Sequence, residues 1–515
     1  MSEPPQNPLS ASLGKSDWSA RNLALIALLT VFAFLVMGYH PGLEDDAFYL
    51  AAIKKNLNPA LFPHDSDFFT VQFQATIFDK LVAFSVRLSH LPLAWVALIW
   101  QLGAIFFVLH GCWRISRRCF SEVPAQWAAV ALIAALLTLP VSGTGISLAD
   151  QYLHPRTLAT AAILAAIVAV LDRRLWRAGI LLAVALSIHV IMAGFGISLC
   201  AFLLWSQRGF LPRRQSSMAA AAVLFPLGWM FEPGSDAWRQ AASTRSFYFL
   251  ARWEWYEWLG VFAPLVLLYA FRRFLRRHTG TENGTLQLLV SSLLYYGIFQ
   301  TCAGLVIMFP SSLERLRPFE PMRYMHLLYL FFFLMVGGLL GRYVLDCRLY
   351  RWGLLFLTLS AGMFYAQRKM YPETEHLELP GAATGNAWLQ AFAWIRQNTP
   401  VDSLFALDPH YIELPGEDYH GLRALAERSV LADYVKDGGM AARVPRLAPR
   451  WLKEVNAQNG WRNFKELDFQ RLKREFGVTW VILPNPDVNL ATQGQEDQGM
   501  MCPYWNRQLQ VCRLY

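Results

Sequence analysis

Long apolar runs separated by short arginine-rich segments limit what this chain can become. The first run, Asn22 to Tyr39, contains no charged side chain, and eighteen residues of helix rise roughly 27 Å, about the thickness of a bilayer core. Many such runs follow. A chain of 515 residues that is 55% hydrophobic and 16% charged is too apolar for one soluble domain. It reads as a polytopic α-helical membrane protein.

The basic residues set the topology. They gather after alternate runs: Arg114, Arg117 and Arg118; Arg173, Arg174 and Arg177; Arg208, Arg213 and Arg214; Arg272, Arg273, Arg276 and Arg277; Arg342, Arg348 and Arg351. By the positive-inside rule these loops face the cytoplasm. The net charge of +9 therefore serves orientation, and nucleic acid is not an expected partner. Loops His40 to Gln72, Val141 to Arg156, Glu232 to Trp258 and Pro310 to Arg323 then face the other side. Ala178 to Trp205 is long enough for one crossing but has arginines at both ends, so it is expected to form two half-spans meeting near His189. This gives about eleven membrane elements with the N-terminus inside. Residues 1–21, rich in proline, are expected to be disordered, 22–368 to form the transmembrane domain and 369–515 an extracytoplasmic domain.

That tail changes character. Asn386 to Asn398 has helical apolar spacing with Pro400 beyond it, and Phe464 to Phe476 is amphipathic. Leu404 to Leu407 and Val478 to Leu483 are short apolar runs bounded by Asp, Gly and Pro, the pattern of buried strands. A small α/β domain follows. Cys502 and Cys512 lie together in it and could pair if the tail lies outside the cytoplasm. The other five cysteines lie beside basic loops or inside apolar runs and read as small buried or reduced residues.

The chemistry-bearing stretch is Glu44-Asp45-Asp46, just past the first apolar run. Three adjacent carboxylates cannot sit in hydrocarbon, and one acid suffices to complement a helix dipole. An ionised carboxylate there could take a proton from an acceptor hydroxyl, or the pair could hold a divalent cation, magnesium or manganese. Residues 47–56 read as a helix lying flat on the membrane, with Lys54 and Lys55 turned away. His64, Asp65 and Asp67 close the same loop and join the cluster if it folds back, Asp67 then serving with Asp46 as a metal ligand. Ordinary turn chemistry explains that run equally well. Asp150, His154 and Arg156 bring an acid, an imidazole and a cation within seven residues and suggest a second wall. Arg315, Arg317 and Arg323 break the positive-inside pattern, which suits binding of a phosphate; pairing with Glu314 and Glu320 is the plainer reading. Trp253, Trp255, Tyr256 and Trp258 could stack on sugar or form an interfacial aromatic belt. No phosphate-binding glycine loop, zinc motif or nucleophile elbow stands in a usable context.

With these residues set out, the chain resembles the GT-C superfamily of integral membrane glycosyltransferases, and a bacterial branch of it in particular. The resemblance rests on a first transmembrane helix, then acids in a first outer loop, many further spans and an extracytoplasmic tail. It is carried by GLEDDAFYLAAIKKNLNPALFPHDSDF, by Trp394 to Pro400 and by Glu427 to Val430. The resemblance implies a sugar donor linked to polyprenyl phosphate or pyrophosphate, transfer at the outer face of a bacterial inner membrane, and metal use that varies among branches. It implies Asp45 or Asp46 as catalytic base or metal ligand, Arg317 or Arg323 on the donor phosphate, and a lipid, glycan or protein acceptor. The tryptophan-tryptophan-aspartate motif of oligosaccharyltransferases is missing, which argues against transfer to asparagine. The competing readings are a transporter or flippase of lipid-linked sugars and an envelope assembly scaffold.

Overall fold

The computed structural model describes residues 17–208, 231–278, 284–414, 418, 420–485 and 499–515. Most of the N-terminal segment expected to be disordered, and Arg213 and Arg214 of the third basic cluster, lie outside the described residues. Packing divides the chain into two units. The first comprises Met1–Gly38, Ile99–Glu232 and Leu250–Ala366, the second Tyr39–Leu98, Pro233–Phe249 and Gln367–Tyr515.

The first unit is helical and apolar. Among the described residues of the chain, six helices are long and apolar enough to cross a membrane: Ala20–Met37, Leu93–Cys119, Val190–Gln207, Trp255–Arg277, Gly284–Met308 and Pro321–Leu345. This corrects the expected count of about eleven. Val123–Ala135, Pro155–Leu171 and Leu175–Ile188 are apolar but shorter than a span, and Leu349–Met370 is diluted by Arg351, Gln367, Arg368 and Lys369. Counting runs between basic clusters did not register helix length. The break at His189 is present, since Leu175–Ile188 ends there in extended backbone and the next helix begins at Val190. The second piece has 19 residues, so it is no half-span. Ahead of the first helix, buried Asp17 accepts from Arg117 at 2.5 Å and from Arg118 at 3.2 Å, which neutralises part of the first basic cluster.

The second unit contains a five-stranded mixed sheet. Its strands are β1 (Leu404–Ala406), β2 (Ser429–Val430), β3 (Trp480–Pro484), β4 (Met500–Trp505) and β5 (Leu509–Leu514), in the order β2-β1-β3-β5-β4. β2, β1 and β3 run parallel; β3, β5 and β4 are antiparallel. Its helices are α1 (Asp46–Leu57), α2 (Phe78–Ser89), α3 (Asp236–Ser243), α4 (Ala387–Asn398), α5 (Leu422–Ala426), α6 (Lys436–Arg443), α7 (Ala448–Gln458) and α8 (Glu466–Phe476). α4 starts where the Asn386 side chain accepts from the amides of Trp388 and Leu389 at 2.9 and 3.1 Å. It packs Phe392 and Ile395 into the core shared by Phe405 and Val481 of the sheet. α8 ends at Gly477, whose left-handed φ of 76° a side chain would oppose. Cys502 and Cys512 form a disulfide between β4 and β5.

α1 departs from expectation. All residues from Asp46 to Ile53 are buried, against α2, α5 and the short helix Asp67–Thr70, so the helix does not present one apolar face to a surface. Lys54 turns inward and donates to the Ala424 carbonyl at 2.6 Å and to Glu427 at 2.7 Å. The partners of Lys54 on and beside α5 lie 370 and 373 positions away, which local periodicity cannot register. The closest approach is at Gly421, whose amide donates to the Gly42 carbonyl at 2.9 Å. A Cβ there would overlap the Cβ of Ala47 and stand 3.2 Å from its Cα. Gly421→Ala is expected to cost about 1–3 kcal/mol through this overlap, read as a lower melting temperature of the purified chain.

Candidate functional site

The candidate site lies in the second unit and starts from a turn. Gly42 adopts φ of 85°, and its amide donates to Asp46 Oδ2 at 2.7 Å, closing the loop on itself. Two isolated bridges, Tyr39 with Leu377 and Leu43 with His420, tie the loop to the tail. Glu44 takes a left-handed φ of 52°. The three acids are thereby separated in role. Asp46 is buried and holds the turn, while the Glu44 and Asp45 side chains stay 38% and 27% exposed. Asp45 makes no side-chain cap to α1. Beneath both lies Lys436, its side chain 3% exposed, in contact with the Glu44 carboxylate and 3.6 Å from that of Asp45.

What holds Lys436 is an ionic network. Arg423 on α5 grips Asp437 with both terminal nitrogens at 2.9 Å, touches Asp65 of the first loop through Nε, and reaches the Val430 carbonyl at 3.3 Å. Asp65 also accepts from the Val430 amide at 3.0 Å. Asp433 accepts from the Lys436 amide at 2.5 Å, which starts α6 and aims Lys436. Burial opposes charge on Arg423, but Asp437 and Asp65 hold its pKa well above the usual arginine range. Burial, reinforced by neighbouring Asp437, raises Asp433 to about 7. A carboxyl whose folded pKa exceeds its unfolded value of 3.8 contributes stability at low pH that is lost as pH rises toward 7. Asp433→Asn, which keeps the acceptor oxygen, is therefore expected to gain stability relative to wild type between about pH 4 and 7. Melting curves of both proteins across that range measure the difference.

The other first-loop residues lie against the tail. His64 Nε2 lies 3.0 Å from the Asp402 carbonyl, and its own carbonyl accepts from Arg450 at 2.7 Å. Asp67 is exposed, 3.9 Å from Arg450. The described residues contain no group of three or more His, Cys, Asp or Glu side chains arranged to hold a metal ion, so Asp46 and Asp67 are not assembled into one. A second buried cluster flanks the loop: Glu378 accepts from His40 at 2.6 Å and from His420 at 3.1 Å. Burial works against its charge, but His420 and His40 hold its pKa below the usual carboxylate range.

Asp150, His154, Arg156, Arg315, Arg317 and Arg323 belong to the first unit. Asp150, His154 and Arg156 do come together, with Arg156 2.5 Å and His154 3.9 Å from Asp150, all three buried. His154 caps the helix Pro155–Leu171 by accepting from the Arg156 amide at 2.9 Å, and its ring lies 6.2 Å from that of His189. Arg323 pairs with Glu320 at 2.5 Å, the plainer of its two readings. Arg315 and Arg317 donate to the carbonyls of Glu232 and Pro310 at 3.3 and 3.4 Å. Trp253 is buried against Gly143, whereas Trp255 and Tyr256 are exposed, as an aromatic belt requires.

Sequence reasoning did not find Lys436, Arg423, Asp437, Asp433, Glu378, His40 or His420. Only Asp433 and Asp437, four residues apart and flanking a lysine, left a trace to follow. The fold is that of a mostly helical membrane protein with a small C-terminal sheet. Among known proteins, no family model matches the chain, and no curated protein does so.

Proposed function

We propose that the protein is a membrane glycosyltransferase of GT-C type, moving a sugar from a polyprenyl-phosphate donor to a lipid, glycan or protein acceptor. Asp45 takes the proton of the acceptor hydroxyl, that oxygen attacks the anomeric carbon, and the sugar–phosphate bond breaks to release polyprenyl phosphate. Lys436 orients Asp45 and neutralises part of the charge of the acid pair. The observation that carries this reading is a buried ammonium beneath two partly open carboxylates, on a loop that follows the first apolar helix by seven residues. A chain that needed only helix capping or anchoring has no use for such an arrangement. The Cys502–Cys512 disulfide favours an oxidising compartment for the tail, the periplasmic side of an inner membrane. Membranes carrying wild type or Asp45→Asn, supplied with radiolabelled polyprenyl-phosphate sugars, test the reading: equal label incorporation removes the assigned role.

A further inference from the structure

We propose that the second unit binds a lipid headgroup that carries both a primary ammonium and a phosphate, at a cleft apart from the acid pair. The cleft has a volume of about 280 Å3, and Tyr39, Ala94, Glu375, Leu377, Glu378 and Arg396 are among the residues that line it.

Chain position sets its level. Tyr39 follows by two residues the last residue of Ala20–Met37, and Ala94 is the second residue of Leu93–Cys119, both helices of spanning length. A wall joined covalently to two such helix ends stands where headgroups lie. Size restricts the occupant, because the volume falls just below the range that accepts a drug-sized molecule. It admits a headgroup and leaves the acyl chains in the bilayer.

Charge selects the headgroup. Two carboxylates, Glu375 and Glu378, and one guanidinium, Arg396, share the wall. Glu378 is fixed by His40 and His420, Glu375 accepts from the Gly385 amide at 3.0 Å, and Arg396 lies 3.7 Å from Glu427. An ammonium donates three hydrogen bonds and suits the carboxylates, while a phosphate oxygen suits the arginine fork. A quaternary ammonium donates none, and an anionic headgroup meets two like charges. Phosphatidylethanolamine has the required chemistry; phosphatidylcholine and phosphatidylglycerol do not.

The test is independent of sugar transfer. The full chain is reconstituted in nanodiscs containing equal parts of those three lipids, then stripped with detergent, and the retained lipid is counted by native mass spectrometry. Phosphatidylethanolamine is expected to be retained about tenfold over either competitor, the discrimination worth one charge-assisted hydrogen bond. Glu375→Gln and Arg396→Gln, both at exposed positions, are expected to remove that preference, and Asp45→Asn to leave it intact. Equal retention of the three lipids, preference for phosphatidylglycerol, or a preference that survives both cleft variants would overturn the proposal.

Discussion

Arg423→Met destabilises the protein by about 3–5 kcal/mol, the cost of removing one partner from a buried ion pair. Arg423 has two buried carboxylates as partners, Asp65 and Asp437. Without it both lose their counter-ion, and Asp65 loses its connection to α5. The penalty arises from the charges left behind, so the triple variant Arg423→Met, Asp65→Asn, Asp437→Asn is expected to recover most of it. Thermal melting of the purified chain, with limited proteolysis of the tail as a second probe, measures both variants. If the single variant melts within a degree or so of wild type, the network does not carry the load assigned to it.

That network also shows where sequence reasoning reaches its limit. α4, β1, α8 and β3 were readable because each announces itself locally. Asn386 caps a helix whose apolar residues recur at helical spacing, and Leu404–Ala406 and Trp480–Pro484 are compact apolar runs between turn residues. β4 was not readable, because Cys502 and Pro503 interrupt alternation and a bulge falls between Met501 and Tyr504. Glu44 and Asp45 were legible as candidate site residues from three acids crowding behind an apolar helix. Their counter-ion was not, since Lys436 lies 392 residues away from Glu44 in a stretch that looks like any solvated helix start. Burial reversed the reading of α1 in part for the same reason: α5, one of its three covering elements, is distant in sequence. The number of spans was overestimated because apolar runs beside the basic clusters were counted as membrane elements even where the helix is short, as in Val123–Ala135.

The separation of the acid triplet yields the other large effect. Asp45→Asn is expected to lower sugar transfer by about 10²- to 10⁴-fold, the usual contribution of a positioned base, while the melting temperature stays near that of wild type. Asp46→Ala is expected to do the opposite first: it leaves the buried Gly42 amide without its acceptor and costs about 1–3 kcal/mol of stability. Activity lost by Asp46→Ala should then return in part at lower temperature, where the loop refolds, whereas Asp45→Asn should stay inactive at every temperature. Lys436→Arg, which keeps the charge but changes its shape, should retain more transfer than Lys436→Met at equal stability. Should Asp45→Asn transfer sugar at the wild-type rate while Asp46→Asn, still able to accept from Gly42, transfers none, the base would be the buried acid. The partly open pair over Lys436 would then serve another purpose.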